Sequence, residues 1–212
     1  RLVGSEMCIR DRIWTGDSGG YGSGQGTTRR RETTMTDELE MLRYPIGPPN
    51  LDATLDQRGR DRHMRSIDTL PARLRKAVDG LMEDQLDTPY RPGGWTVRQV
   101  VHHLPDSHTN AYVRFKLAVT EKDPTIRVYD EKAWARQAEA VSAPVDLSLD
   151  LLDALHRRWV VWMRGLGDES WTRMLHHPEM GLLNLSALLC MYGWHSEHHL
   201  AHILRLRERE GW

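Results

Sequence analysis

Histidine is the residue that stands out. The chain has 11 histidines in 212 residues, and four of them fall within Trp194-His195-Ser196-Glu197-His198-His199-Leu200-Ala201-His202. On a helix, residues four apart share a face, with β-carbons about 5–6 Å apart. Two imidazoles so placed can grip one transition-metal ion through bonds of about 2.0–2.1 Å. Two such pairs exist, His195/His199 and His198/His202. A helical wheel at about 100° per residue separates them. Leu185, Leu188, Leu189, Tyr192, Ile203 and Leu206 form an apolar stripe that contains His195 and His199. His198 and His202 fall on its border. A pair of core-facing imidazoles needs partners, because burying an unpaired polar group is costly. The pattern is not the zincin HExxH, since Glu197 stands two residues after His195.

Two histidines hold a metal loosely, so a third ligand is expected. A second segment supplies His102, His103 and His108. Its stripe centres on Leu104. His102 points away, His103 lies at the border and His108 lies inside. Periodicity alone leans to His108 but leaves both open. Asp106 and Glu197 are candidate orienting carboxylates or general bases, and Arg98 and Arg114 candidate anion contacts. For each of the four, a solvated surface charge is the leading reading. Cys190 precedes His195 by five residues and points elsewhere, as a buried apolar thiol.

The elements that must position these side chains are helical. A first helix is expected over about 56–86, divided at Pro71, with Leu70, Leu74, Val78 and Leu81 inward. Thr96 is a good N-cap for a second, about 97–121, with a kink at Pro105. A short helical piece is expected around 131–139. A third long helix spans about 146–166, with Leu149, Leu152, Leu155, Trp159, Trp162 and Met163 inward. The loop 167–183 can carry a turn or hairpin. A fourth helix covers about 184–208. Four long helices describe an all-α four-helix bundle, up-and-down or crossover.

Composition sets limits. Lys+Arg number 29 against 30 Asp+Glu, a net charge of −1, which gives no electrostatic case for nucleic acid. No apolar run approaches the 18 or so residues of a membrane span. Two cysteines make no disulfide scaffold, which suits a reducing cytoplasm. Residues 1–34 are rich in Gly, Ser, Thr and Arg and lack apolar periodicity, so a disordered extension is expected over 1–40 and the domain over 41–212. The peptide Gly4–Arg12 resembles a translated sequencing adapter, which would make the extension non-native and Met35 or Met41 the start.

GGWTVRQVVHHL (93–104) and WHSEHHLAHI (194–203) together resemble the DinB superfamily, and within it the YfiT/BstA-like branch. YPIG (44–47), QLDTPYR (85–91), VRFKL (113–117), YDEKAW (129–134) and LHRRW (155–159) extend the resemblance over about 43–212. It implies a four-helix bundle that binds one divalent metal, zinc or nickel, through three histidines. These would be His103, His195 and His199, with His103 preferred over His108. Pro105 departs from the alanine more usual in this branch. Three imidazoles leave coordination open to water or a small thiol, which implies a metal-dependent hydrolase or a bacillithiol-type thiol S-transferase acting on a small molecule. A homodimer is implied too. The rival expectation is a non-catalytic helical module that uses the metal for stability, sensing or dimerisation.

Overall fold

Asp56 opens the first long helix in this computed structural model, which describes residues 35–51 and 54–212. Its carboxylate accepts from the amide of Gly59 at 2.7 Å and caps α2 (Gln57–Val78). Before it stands a helix not marked by the sequence pattern, α1 (Met35–Arg43). Residues 35–40, expected to belong to a disordered extension, are therefore folded; residues 1–34 of that extension lie outside the described residues. The helix expected over 56–86 runs through Pro71 and ends at Val78, and a single turn, α3 (Glu83–Leu86), follows. Gly80, at a φ of +73°, breaks the chain between them in the left-handed region that favours glycine.

Thr96 caps α4 (Val97–Thr120) through a reciprocal box with Gln99. The helix continues across Pro105. The short piece expected around 131–139 is two, α5 (Glu131–Trp134) and α6 (Ala138–Ser142). Then come α7 (Val145–Arg164), a 3₁₀ turn (Asp168–Thr172), and a hairpin of β1 (Met174–His177) and β2 (Gly181–Asn184). Asn184 caps the last helix, α8 (Leu185–Glu210), which Gly211 ends in a left-handed conformation.

The four long helices do not pack in chain order. Helix α2 lies against α7 and α8, and α4 lies against the same two. Consecutive long helices α2 and α4 are thus diagonal, which settles the topology as a crossover bundle.

Two apolar clusters fill the interior. One takes Leu70 and Leu74 of α2, Val100 and Leu104 of α4, Leu149 and Leu152 of α7, and Leu200 and Ile203 of α8. The other takes Met64 and Ile67, Ala111 and Phe115, Trp159 and Met163, and Leu188 and Tyr192 from the same helices. Helices α4 and α7 run from the first cluster to the second, and α2 and α8 run back. Between the clusters the sequence places His108 on α4, His156 on α7, and His195 and His199 on α8. The histidines therefore form a polar layer between two apolar ones. Among the described residues no helix is long and apolar enough to cross a membrane.

Candidate metal centre

Helix α8 presents His195 and His199 one turn apart, and α4 brings His103 to them. The three are 6%, 2% and 7% exposed, so water does little to solvate their nitrogens. One ring nitrogen from each lies within 4.8 Å of the others. His103 Nε2 and His195 Nε2 are 3.3 Å apart. Trp95 packs against the His103 ring at 4.7 Å between centroids and holds it toward α8.

Burial keeps these rings neutral. His103 is pushed down to about 3 by desolvation, and His195 and His199 are lowered by desolvation and by the neighbouring imidazoles. A neutral imidazole is the form that ligates metal. Neither ring nitrogen of His199 has a hydrogen-bond partner among the described residues. A buried ring with two unpartnered nitrogens calls for a ligand. The spacing agrees. Two nitrogens about 2.0–2.1 Å from one ion at the tetrahedral angle lie about 3.3–3.4 Å apart, and His103 and His195 are at 3.3 Å. The donor set therefore fits one divalent transition ion.

The resemblance chose His103 over His108, and the structure gives both a place. His108 is fully buried as periodicity required, but it stands behind His195. Its Nε2 is 3.0 Å from His195 Nδ1, and its Nδ1 is 2.7 Å from His156 Nε2. His156 was missed by the sequence reading. It is fully buried and sits four residues after Leu152 and three before Trp159, so the same stripe that picked those residues marks it. His102, expected to point away from the core, is also covered; its nitrogens meet Ser148 Oγ at 2.7 Å and the Ala143 carbonyl at 3.1 Å.

A second group, His198, His199 and His202, also brings three ring nitrogens within 4.8 Å. These border residues are as buried as the first pair, at 0% for His198 and 2% for His202. The wheel could not show what covers them. The carbonyl of Arg43 accepts from His202 Nε2 at 3.1 Å, Tyr90 stacks on His202 at 3.9 Å, and Trp194 stacks on His198 at 4.3 Å.

The candidate carboxylates and arginines divide. Glu197 lies on the outer side of α8, where Arg73 donates to its two oxygens at 2.6 and 2.7 Å. It is engaged away from His195 and does not orient it. Asp106 lies one turn after His103 on α4 and is half-buried; burial and Glu139 push its carboxyl up to about 6. Arg98 is buried and donates to Asp87, Glu83 and the Ala143 carbonyl, so it ties α4 to α3 and is not left open to a substrate anion. Arg114 donates to Tyr192 Oη at 2.9 Å and to the Arg127 carbonyl at 3.0 Å, a structural use as well. Cys190 is buried, at 1% exposure.

Known proteins are similar to this chain in sequence and fold. The DinB superfamily profile matches residues 66–203, which contain every histidine of the layer. A protein of Bacillus mycoides strain KBAB4, named as a candidate metal-dependent hydrolase, is 49% identical over 174 residues, 82% of this chain and 100% of its own length. YfiT of Bacillus subtilis strain 168, named likewise, is 46% identical over 172 residues, 81% of this chain and 97% of its own. The solved structure of YfiT aligns with a TM-score of 0.79 over 81% of this chain and 99% of that one, and it is described as having an unusual four-helix bundle topology. The crossed helix order accords with that description, and the chain belongs to the DinB superfamily.

Proposed function

We propose that this protein is a metal-dependent hydrolase in which His103, His195 and His199 hold one divalent transition ion, zinc or nickel, that acts on a small molecule. The observation that carries the reading is the buried His199 ring, with both nitrogens unpartnered, within 4.8 Å of a His103–His195 pair whose Nε2 atoms stand 3.3 Å apart. The relatives' names support the same activity class. An ion bound by three neutral imidazoles keeps open positions and lowers the pKa of water or a thiol bound there.

The chain's own residues do the rest. The three imidazoles stay uncharged at neutral pH because burial opposes protonation. The apolar clusters on either side lower the polarity around the layer, which strengthens polar interactions within it. Asp106, one turn after His103 on α4 and with its carboxyl pushed up by burial, is the candidate carboxylate that no arginine among the described residues holds. Glu197 is held ionised by Arg73 on the outer face.

Water and a small thiol are two nucleophiles that one such site can activate, so the test separates them. Metal-stripped protein is reloaded with zinc or nickel and offered ester, amide and alkylating electrophile panels, with and without a low-molecular-weight thiol. Metal-dependent turnover by water alone is the expected result. Turnover only with the thiol would make the protein an S-transferase. Full metal loading without turnover on any panel would favour the non-catalytic module.

A further inference from the structure

A chain of hydrogen bonds behind His195 begins at a proline. Pro71 lies inside α2 and has no amide hydrogen, so the carbonyl of Ile67, four residues earlier, loses its helical donor. His156 Nδ1 fills that place at 2.6 Å. A carbonyl oxygen only accepts. His156 Nδ1 therefore carries the hydrogen, and Nε2 of the neutral ring is a lone pair. That lone pair faces His108 Nδ1 at 2.7 Å, so His108 Nδ1 is the donor and its Nε2 the acceptor. His108 Nε2 faces His195 Nδ1 at 3.0 Å, which must then be N–H. What remains on His195 is a bare Nε2, the atom turned toward His103 Nε2 at 3.3 Å.

We infer that His108 and His156 are positioning residues that lock the tautomer of His195, anchored on the carbonyl that Pro71 leaves free. The inference rests on the reading of His103, His195 and His199 as a metal site. Metal-ligating histidines ordinarily give their second N–H to a carboxylate, a carbonyl or water. Here a neutral histidine takes that N–H, and the carbonyl stands two rings further back. Ile67, His156, His108 and His195 come from α2, α7, α4 and α8, so the chain crosses all four long helices. His108 and His156 are both fully buried, and water does not compete for their nitrogens. The far end is a backbone carbonyl, which takes up no proton. The chain therefore fixes orientation and tautomer and does not carry a net proton away.

The test is made on the full chain, stripped of metal and labelled with ¹⁵N-histidine. Long-range ¹H–¹⁵N spectra should show His156, His108 and His195 all as Nδ1–H tautomers. His108→Leu should release His195 from that form and weaken zinc binding about 10- to 100-fold in competition with a chelator, as loss of an orienting partner does. His108→Gln should restore most of both, because its amide can accept from His195 and donate to His156. A wild-type His195 that carries its hydrogen on Nε2 would overturn the inference, even if no variant folds. So would a His108→Leu protein with unchanged tautomer and zinc affinity. A wild type that binds no zinc would instead overturn the proposed metal site, and the metal-free spectra would still decide the lock.

Discussion

Because His199 belongs to both histidine groups, the discriminating substitutions are His103→Ala and His202→Ala, each of which touches one group alone. The expected quantity is the stability that added metal confers. Zinc at a free concentration about 100 times its Kd stabilises the native state by about 2.7 kcal/mol. For a chain of this size each kcal/mol moves Tm by about 2–4 °C, so wild type should gain about 5–11 °C. Loss of His103 removes one of three ligands. If affinity falls about 100-fold, the same zinc gives only about 0.4 kcal/mol, and the gain shrinks to about 1–2 °C. His202→Ala removes the 3.9 Å stack on Tyr90 and the bond to the Arg43 carbonyl, so its metal-free Tm should drop. Its zinc-induced gain should match wild type. Differential scanning calorimetry on chelator-stripped proteins, with and without zinc, reads both. A His103→Ala protein with the full gain, or a His202→Ala protein without it, would refute the assignment and place the ion in the second group.

Three further outcomes are expected. In metal-free protein His103, His156 and His202 are held by burial at about 3, 4 and 4, below the about 6.5 of an exposed imidazole. The unfolded chain therefore binds protons that the native state refuses, and stability, full above about pH 6.5, is lost as pH falls toward 4 at up to about 1.4 kcal/mol per pH unit for each histidine; a flat urea-denaturation midpoint across that range would contradict it. Arg98→Met should cost about 1–3 kcal/mol by denaturant titration, since it breaks three bonds of a buried guanidinium whose acidic partners can turn to solvent, and kcat should be unchanged. Gly193→Ala should lower Tm, because the new Cβ would lie 2.9 Å from His63 Cβ where α8 crosses α2; overpacking of about 1–3 kcal/mol outweighs the helix gain of about 1 kcal/mol.

The α8 stripe and the Thr96 cap were legible because they are local: helical spacing alone puts His195 and His199 on the apolar face. The helix over 56–86 was drawn too long because apolar spacing continued through Val78 to Leu81, while Gly80 ended the helix between them. His198 and His202 fall on the border of the wheel yet are buried, because Arg43, Tyr90 and Trp194 cover them, and only the last is near in sequence. Glu197 shows the same limit. Its partner Arg73 lies on α2, and no spacing within α8 reveals that the carboxylate is already held. The choice between His103 and His108 could not be made from periodicity because both are buried in one layer, the first facing the centre and the second behind it. His156 carries a signal in its position between Leu152 and Trp159, on the inward stripe of α7.

The most direct measurement is anomalous diffraction from crystals of the full chain soaked in zinc, with data on both sides of the metal edge. One strong peak is expected, about 2.0–2.1 Å from a nitrogen of each of His103, His195 and His199. A peak between His198 and His202 instead, or none in the histidine layer, would contradict the account.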